Sequence, residues 1–400
     1  MILENKLVKV GIERCLDYKH EQLKSTVIKT LNYFGGLEKL VNQGDKVLLK
    51  VNLLSPKEPE QAVTTHPQLV KVICELVKEL GANPIVGDSS GGMTSKGSRT
   101  NRAFQISGIQ QAAEEAGAEI VNFDEAGSVE MTSQVQGNTY QFYVAQPVIE
   151  ADVIINLPKL KTHGLTYFTG AVKNMYGVLP GNQKRDLHRK YPDTDEFSRL
   201  LSVLYDTVKP DLTIMDGIWS MEGNGPSAGT RKDLGLILAS KDGVALDEVA
   251  CNIIGFRPLQ VKTTRMAQAL EFGTADLGQI SLPDNISKYR VDNFQLPDTR
   301  FVEMVPSWLT RAVINQLRTV PQIDSNSCAH CGICQKSCPV DAIKTQRSTN
   351  GDKNLYTITP DNCIECYCCH ELCPEKAVNI EFRGKLGKLI NRLQFFMNFI

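Results

Sequence analysis

The sequence predicts an α/β fold, a largely parallel sheet with helices on both faces, followed by a small cysteine-rich α+β module. Three observations carry this. Short apolar runs alternate with stretches of helical periodicity over the first 275 residues, as in a parallel sheet covered on both sides. Nine of the twelve cysteines lie between Cys328 and Cys373. The 400 residues suffice for roughly two or three domains.

The first strand is expected at 7–10 and the first helix at about 18–31. KVLLKVN (46–52) is short and apolar enough for a buried strand. Thr65 or His66 caps the next helix, with Pro67 at its first position. Leu69, Val72, Ile73, Leu76, Val77 and Leu80 keep its period until Gly81. A strand at 84–87 then opens into Asp88-Ser89-Ser90. A helix over 103–116, a strand over 119–123 and a hairpin over 129–149 turning at Gly137-Asn138 follow. Strands are expected at 152–157, 212–215 and 234–239, and helices at 244–254 and 264–272. Asp242 caps the first of these two helices, and Asp247 is a weaker candidate site residue.

These elements divide the chain into an α/β ligand-pocket domain (1–275), a connector (276–323), the cysteine module (324–382) and a basic tail (383–400). The connector holds Phe294, Phe301, Val305, Trp308, Leu309, Val313 and Leu317, too many apolar residues for a solvated linker. It is expected to bury them and to fix the module near His163. The tail has no acid after Glu381 and four bases, Arg383, Lys385, Lys388 and Arg392. As a helix it gathers Leu386, Leu389, Ile390, Leu393, Phe396, Met397 and Ile400 on one side, with Phe395 and Phe399 opposite. It would meet the protein body, a dimer mate or redox partner, or a membrane surface.

A 42% hydrophobic and 22% charged composition excludes a disordered or collagen-like chain, and no run of 18 apolar residues exists to span a membrane. Met1-Ile2-Leu3-Glu4 lacks the start of a secretory signal. The expected location is the cytoplasm, peripheral at a membrane if the tail attaches there. A net charge of −1 gives no support for nucleic-acid binding.

Cys328, Cys331, Cys334 and Cys338 precede Pro339, and Cys363, Cys366, Cys369 and Cys373 precede Pro374. Both runs read C-x2-C-x2-C-x3-C-P and repeat at an offset of 35 residues. The spacing resembles that of bacterial two-cluster ferredoxins, which implies a ferredoxin-like α+β domain with two [4Fe-4S] clusters. Three thiolates spaced this way wrap one cuboid cluster, while the fourth starts a helix leading to the other. The expected sets are Cys328, Cys331, Cys334 and Cys373, and Cys363, Cys366, Cys369 and Cys338. Ala342-Ile343 and Ala377-Val378 would fill the duplicated core, with Asn350-Gly351 as the turn between halves. Structural zincs and disulfides are the competing readings. Zinc sites use paired C-x2-C elements, and thiols clustered without an export signal are metal ligands before disulfides. Cys368 breaks the register and is left spare. His330 and His370 are expected in solvated loops, and Cys15, Cys74 and Cys251 as buried, inert thiols.

Lys159, Lys161 and His163 follow a buried strand at its carboxyl end, where open parallel sheets bind ligands. With Thr169-Gly170 and Lys173-Asn174 they would form a pocket for a carboxylate or phosphate. Asn52, Thr65 and His66 follow another strand, as do Asp88 with Ser89, and Asp216. Glu222 lies in a glycine-rich loop. His163 and Lys173 are expected to act on the ligand and the others to bind it. A further organic or metal cofactor in this pocket stays open.

KVNLLSPKEPEQAVTTHPQLV (50–70), DVIINLPKLKTHGLTYFTGAVKNMYGVLPG (152–181) and IMDGIWSMEGNGPSAGT (214–230) resemble the domain of unknown function three-six-two family. The resemblance spans about 45–255 and implies an α/β fold in an iron–sulfur protein, but no substrate. His163, Thr169-Gly170, Lys173 and Pro180-Gly181 are more distantly similar to the H-x5-[ST]-G-x2-K…P-G segment of the lactate racemase family. There the lysine and a later histidine hold a nickel-pincer cofactor; His188 stands close to that spacing without matching it.

The leading expectation is an iron–sulfur oxidoreductase of anaerobic-type metabolism, whose module exchanges single electrons with a ligand or redox cofactor in the pocket. The alternatives are an electron carrier or adaptor docking a partner enzyme, and a racemase-like isomerase or cofactor-maturation protein. The expected partners are a small anionic ligand or redox cofactor and a redox partner protein. No G-x-G-x-x-G, Walker lysine loop or nucleophile elbow supports nicotinamide, nucleotide or serine-hydrolase chemistry.

Overall fold

The computed structural model describes residues 7–91, 98–299, 318–347 and 354–384, together with Leu389. In chain order the strands of the larger domain are β1 (Val8–Arg14), β2 (Lys46–Val51), β3 (Asn83–Asp88), β4 (Glu119–Asn122), β5 (Ser128–Val135) and β6 (Asn138–Ala145). They continue with β7 (Val153–Leu157), β8 (Lys159–His163), β9 (Tyr167–Phe168), β10 (Leu212–Glu222), β11 (Thr230–Ser240) and β12 (Ile280–Ser281). The main sheet runs β12-β1-β11-β10-β7-β2-β3-β4. It is parallel from β10 through β4, while β11 lies antiparallel to both β1 and β10. β8 adds to β10 in parallel and carries the short antiparallel β9, so the sheet is largely parallel, with two reversed strands, β11 and β9, that the sequence did not announce.

Alternation along β2 shows how the two faces are filled. Val47, Leu49 and Val51 enter one core with helices α1 (His20–Asn32) and α2 (Pro67–Glu79). Leu48 points into the opposite core, as successive strand residues must. α2 starts as its sequence dictates: the His66 side chain accepts from the Gln68 amide at 3.2 Å, and Pro67 occupies the first position. The helix expected over 103–116 is two, α3 (Ser98–Ile106) and α4 (Ile109–Glu115). Gly108, at φ +69°, takes a left-handed conformation between them. The hairpin β5–β6 turns at Gln136-Gly137, one residue earlier than expected. Both turn residues have positive φ, which matches the twist of the strands.

On the second face lie α5 (Gln146–Glu150), α6 (Gly170–Asn174), α7 (Gln183–Lys190), α8 (Thr194–Val208), α9 (Gly243–Ile253) and α10 (Lys262–Ala269). Asp242 caps α9 through the Val244 and Ala245 amides, as expected. Cys15, Cys74 and Cys251 are buried free thiols. From the connector, Tyr289 and Phe294 join the core containing β1 and α9. The connector residues Phe301 to Leu317, the Asn350-Gly351 turn and nearly all of the tail lie outside the described residues.

The cysteine module pairs Thr319–Ile323 with Val378–Phe382, and Ile343–Arg347 with Asn354–Ile358, both antiparallel. Short helices, Ile333–Lys336 and Cys368–Glu371, sit at equivalent places in the two halves. The module is seated on the larger domain: Tyr367 is buried in the core that holds Leu48, Val172 and Leu204.

Four residues expected at the pocket form instead a closed polar network near the other core. Asp216 lies 2.8 Å from Lys159 Nζ and accepts from Tyr18 Oη at 2.6 Å and from the His66 amide at 2.9 Å. The Tyr18 and His66 rings stack at 3.5 Å. Thr65 accepts from the Asn52 amide and donates to the Leu157 carbonyl, so its hydroxyl closes the base of a loop. Burial pushes Lys159 below its ordinary pKa, and Asp216 opposes that.

Removing one member of such a buried pair leaves a charge without compensation. Asp216→Ala should therefore lower unfolding stability by about 3–5 kcal/mol, read as a fall in the denaturant midpoint at constant slope.

Candidate functional site

At the carboxyl ends of β2, β3 and β8 the larger domain meets the cysteine module, and a cleft of about 860 Å³, mouth included, opens along the seam. Asn52, Asp88, Ser89, Lys161, Thr169, Lys173 and Asn174 line it; the expectation had placed all seven together. Cys368, Glu371 and Leu372 supply the facing wall from the module.

α6 presents much of the polar lining. The Asp247 carboxyl accepts from the Ala171 and Val172 amides at 2.6 and 3.0 Å, fixing the first turn of the helix. Gly170 has φ +54°, and a Cβ there would collide with Asp247 Oδ1. Gly170 therefore shapes the helix start and does not line the cleft, contrary to its expected binding role. Asn174 donates to Asn156 Oδ1 at 2.7 Å and accepts from Asn52 Nδ2 at 2.8 Å. This leaves Asn52 Oδ1 buried without a partner among the described residues, and the Thr169 hydroxyl is in the same condition.

Five basic side chains line the cleft against two carboxylates, and burial pushes Lys161 well below its ordinary pKa. Lys50 pairs with Asp88 at 3.1 Å. Lys184 is saturated by Ser89 O, Ser89 Oγ and Ser90 O at 2.7–3.0 Å, and burial lowers its pKa to about 8. Lys161 donates to the Val63 carbonyl at 2.6 Å. Lys173 has no carboxylate within ion-pair distance among the described residues, and its ammonium lies 6.0 Å from the Tyr176 ring centre. The cleft is thus cationic, with spare hydrogen-bonding capacity at Asn52, Thr169 and Lys173.

His163 stands behind the module's wall and is not part of the lining. Its Nδ1 accepts from the Leu165 and Thr166 amides at 3.0 and 3.3 Å. The ring proton therefore sits on Nε2, and Glu371 Oε1 lies 3.0 Å from that nitrogen without aligned hydrogen-bond geometry. Burial brings His163 down to about 4, so the imidazole is neutral near pH 7. Burial pushes Glu371 up, yet His163, Lys173 and His188 together bring it down to about 2. Burial also lowers His188, which lines the cleft and stacks on Phe197 at 4.2 Å, to about 4.

Glu222, expected as a ligand contact, instead accepts from the Gln295 amide at 3.0 Å and holds the connector. His370, expected in solvent, is buried, with Nε2 2.9 Å from the Asn224 carbonyl. His330 reaches the Asn354 carbonyl at 2.6 Å. Sequence reasoning missed Lys50, Lys184, Tyr176, Glu371 and the place of Cys368. Lys50 did carry a signal, as a lysine inside an apolar run. Glu371 carried none, because its partners lie about two hundred residues away in the chain.

Cys334 interacts electrostatically with Cys373, Cys328 and Cys331 and Cys363 with Cys366 and Cys338, while Cys369 interacts with Cys366, Cys363 and Cys338 and also with Cys334. Cys338, Cys363, Cys366 and Cys369 line a second, small cavity. Free thiols converging on a cavity from two sequence runs fit an iron–sulfur cluster.

An α/β pocket domain closed by a ferredoxin-type [4Fe-4S] module defines an iron–sulfur protein. The chain belongs to the family described as Domain of unknown function (DUF362), which it matches over residues 47–252, and it matches the 4Fe-4S dicluster domain over 327–377. A thylakoid-associated protein of Synechocystis sp. is 32% identical over 291 residues, 72% of this chain and 88% of that protein. Among solved structures, the lactate racemase apoprotein of Thermoanaerobacterium thermosaccharolyticum is similar at a TM-score of 0.41 and 10% identity. That similarity covers 64% of this chain and 58% of the other. No helix among the described residues is long and apolar enough to cross a membrane.

His188 yields a pH prediction. Its pKa is about 4 folded against 6.5 ordinarily, so the unfolded chain takes up the proton first. Its contribution is complete above about pH 6.5 and is lost as pH falls toward 4. Denaturant titrations from pH 6.5 to 5 should show falling stability. His188→Phe should flatten that slope by at most about 1.4 kcal/mol per pH unit.

Proposed function

We propose that this protein is an iron–sulfur oxidoreductase whose module exchanges single electrons with a small organic anion held in the seam cleft. The observation that carries the reading is that Cys368 and Glu371, inside the second cysteine run, form one wall of the cleft. Bound clusters would supply reversible one-electron storage. The protein's own residues do the rest. Lys173, Lys161 and the Thr169 hydroxyl hold the anion, and Asn52 Oδ1 accepts from it. Leu53, Leu54, Tyr176 and Leu372 exclude water from its apolar part. His163 lies beside the Glu371 carboxylate at 3.0 Å and backs the module's wall.

In this reading two clusters are bound, with Cys328, Cys331, Cys334 and Cys373 holding one and Cys363, Cys366, Cys369 and Cys338 the other. The cysteine neighbourhoods described above support the crossing. A module whose Tyr367 is embedded in the larger domain's core favours electron delivery within the chain over a loosely tethered adaptor. The relative's name and the basic tail support attachment at an anionic membrane surface.

Anaerobically purified protein should contain about eight iron and eight sulfide per chain. Cys338→Ser should damage the same cluster as Cys363→Ser, read by electron paramagnetic resonance; zinc as the bound metal would sink the reading. Native mass spectrometry of that preparation should find an organic anion. Lys173→Ala should reduce its occupancy at least tenfold, the equivalent of about 1.4 kcal/mol, while leaving iron content intact.

A further inference from the structure

Two lysines that line the seam cleft are fully buried, Lys50 and Lys161. Lys50 pairs with Asp88 at 3.1 Å and donates to the Val51 carbonyl. Lys161 has one acceptor among the described residues, the Val63 carbonyl at 2.6 Å. An ammonium carries three donors, and burying it with two of them unmet is costly. An amine needs less: one N–H bonds Val63 and the lone pair stays available. Burial and, next, Lys173 push Lys161 in that direction; Lys159 adds to it, while Glu371 and Asp88 oppose it. At the ordinary value of 10.5 only about one lysine in three thousand is neutral at pH 7. The Thr169 amide donates to the Lys161 carbonyl at 3.0 Å, so α6, which carries Lys173 one turn on, starts beside Lys161. Lys173 itself is only half-buried and keeps contact with solvent. Asn174 donates to the Lys50 and Val51 carbonyls and to Asn156 Oδ1. Its own oxygen must then accept from Asn52, which fixes Asn52 Oδ1 as an acceptor without a partner among the described residues.

We propose that Lys161 captures 2-oxo acids covalently: its amine condenses with the keto group of the ligand while the Lys173 ammonium holds the adjacent carboxylate. The proposal rests on reading the cleft as an organic-anion site and names the class of anion. Buried lysines beside a second cation are suited to such condensation. The nitrogen lone pair attacks the keto carbon and the C–N bond forms. The carbonyl oxygen then leaves as water, carrying one proton from the nitrogen and one from solvent. The product is an iminium whose remaining N–H still has the Val63 carbonyl as its acceptor. No oxidant or reductant is consumed. The hydroxyl of the intermediate carbinolamine is a donor, and Asn52 Oδ1 is the acceptor that the cleft leaves open. Leu53, Leu54 and Leu372 offer apolar surface to an alkyl tail. A cationic C=N accepts electrons more readily than a neutral C=O, which gives the condensation a use in an electron-exchanging protein.

The test is reductive trapping of the anaerobic holoprotein at pH 7 with cyanoborohydride and 2-oxobutanoate, read by intact mass and peptide mapping, with iron measured on each sample. One adduct should form, and it should map to Lys161. Lys161→Met should keep its iron and lower the adduct by about tenfold or more. Butanone, which has the same carbonyl without the carboxylate, should label Lys161 about tenfold less. Butyrate, the anion without the carbonyl, should protect Lys161 from 2-oxobutanoate. An adduct on Lys173 in place of Lys161, or one confined to exposed lysines, would overturn the proposal. Undiminished labelling in Lys161→Met would overturn it too, as would butanone labelling Lys161 as well as 2-oxobutanoate does. Should Lys161→Met lose its iron, the peptide map of the unaltered protein decides alone. Equilibrium dialysis of butyrate separates this proposal from the reading beneath it. Bound butyrate with Lys161 left unlabelled by 2-oxobutanoate would end covalent capture and keep the anion site. Neither bound butyrate nor an adduct would remove the anion site, and the proposal with it.

Discussion

A carboxylate removed from water must find positive or hydrogen-bonding partners, and Glu371 finds all of its partners in another domain. Its oxygen lies 3.0 Å from His163 Nε2, within the field of Lys173. Its carbonyl receives the Ser227 hydroxyl at 2.6 Å. Without those partners the burial of Glu371 would be prohibitive. The cleft therefore exists only with the module docked. The cationic lining answers the same constraint from the other side, because Lys173 needs an acid nearby, and the cysteine run brings one.

β8 carries Lys159, Lys161 and His163 at alternate positions, which in a regular strand would share one face. The pairing of β8 with β10 breaks register between Asp216 and Met221. Lys159 turns to Asp216 and Tyr18, Lys161 reaches the cleft, and His163 lies behind its wall. The irregular strand is thus what separates a closed structural ion pair from an open binding surface.

Much of this was legible in the sequence. The cysteine spacing specifies thiol geometry locally, and the apolar runs specify parallel strands through burial on both faces, so both could be read from short windows. Seven expected cleft residues were legible because strand carboxyl ends converge in any such sheet. Lys159, Asp216, His66 and Thr65 were not separable from them, since charge and loop position look alike whether the partner is a ligand or another side chain. Gly170 and Glu222 misled for a related reason: a left-handed turn and a loop anchor use the same residue types as a binding loop. Glu371, His370 and Cys368 act across the domain seam, and no local pattern encodes a contact between residues so far apart in the chain.

The burial of Tyr367 in the larger domain's core has a consequence for how the protein is made. Tyr367 stands between ligand cysteines Cys366 and Cys369, borders the cysteine-lined cavity and closes the core through Leu48 and Val172. Its Oη also donates to the Thr319 carbonyl at 2.8 Å. The loop that must be shaped around a cluster is the loop that seals the hydrophobic interior. The shape of the cysteine-lined cavity and the closure of the core are thus set by the same few residues. A substitution that distorts this loop therefore reaches the cysteine-lined cavity, the hydrophobic interior and the wall of the cleft at once.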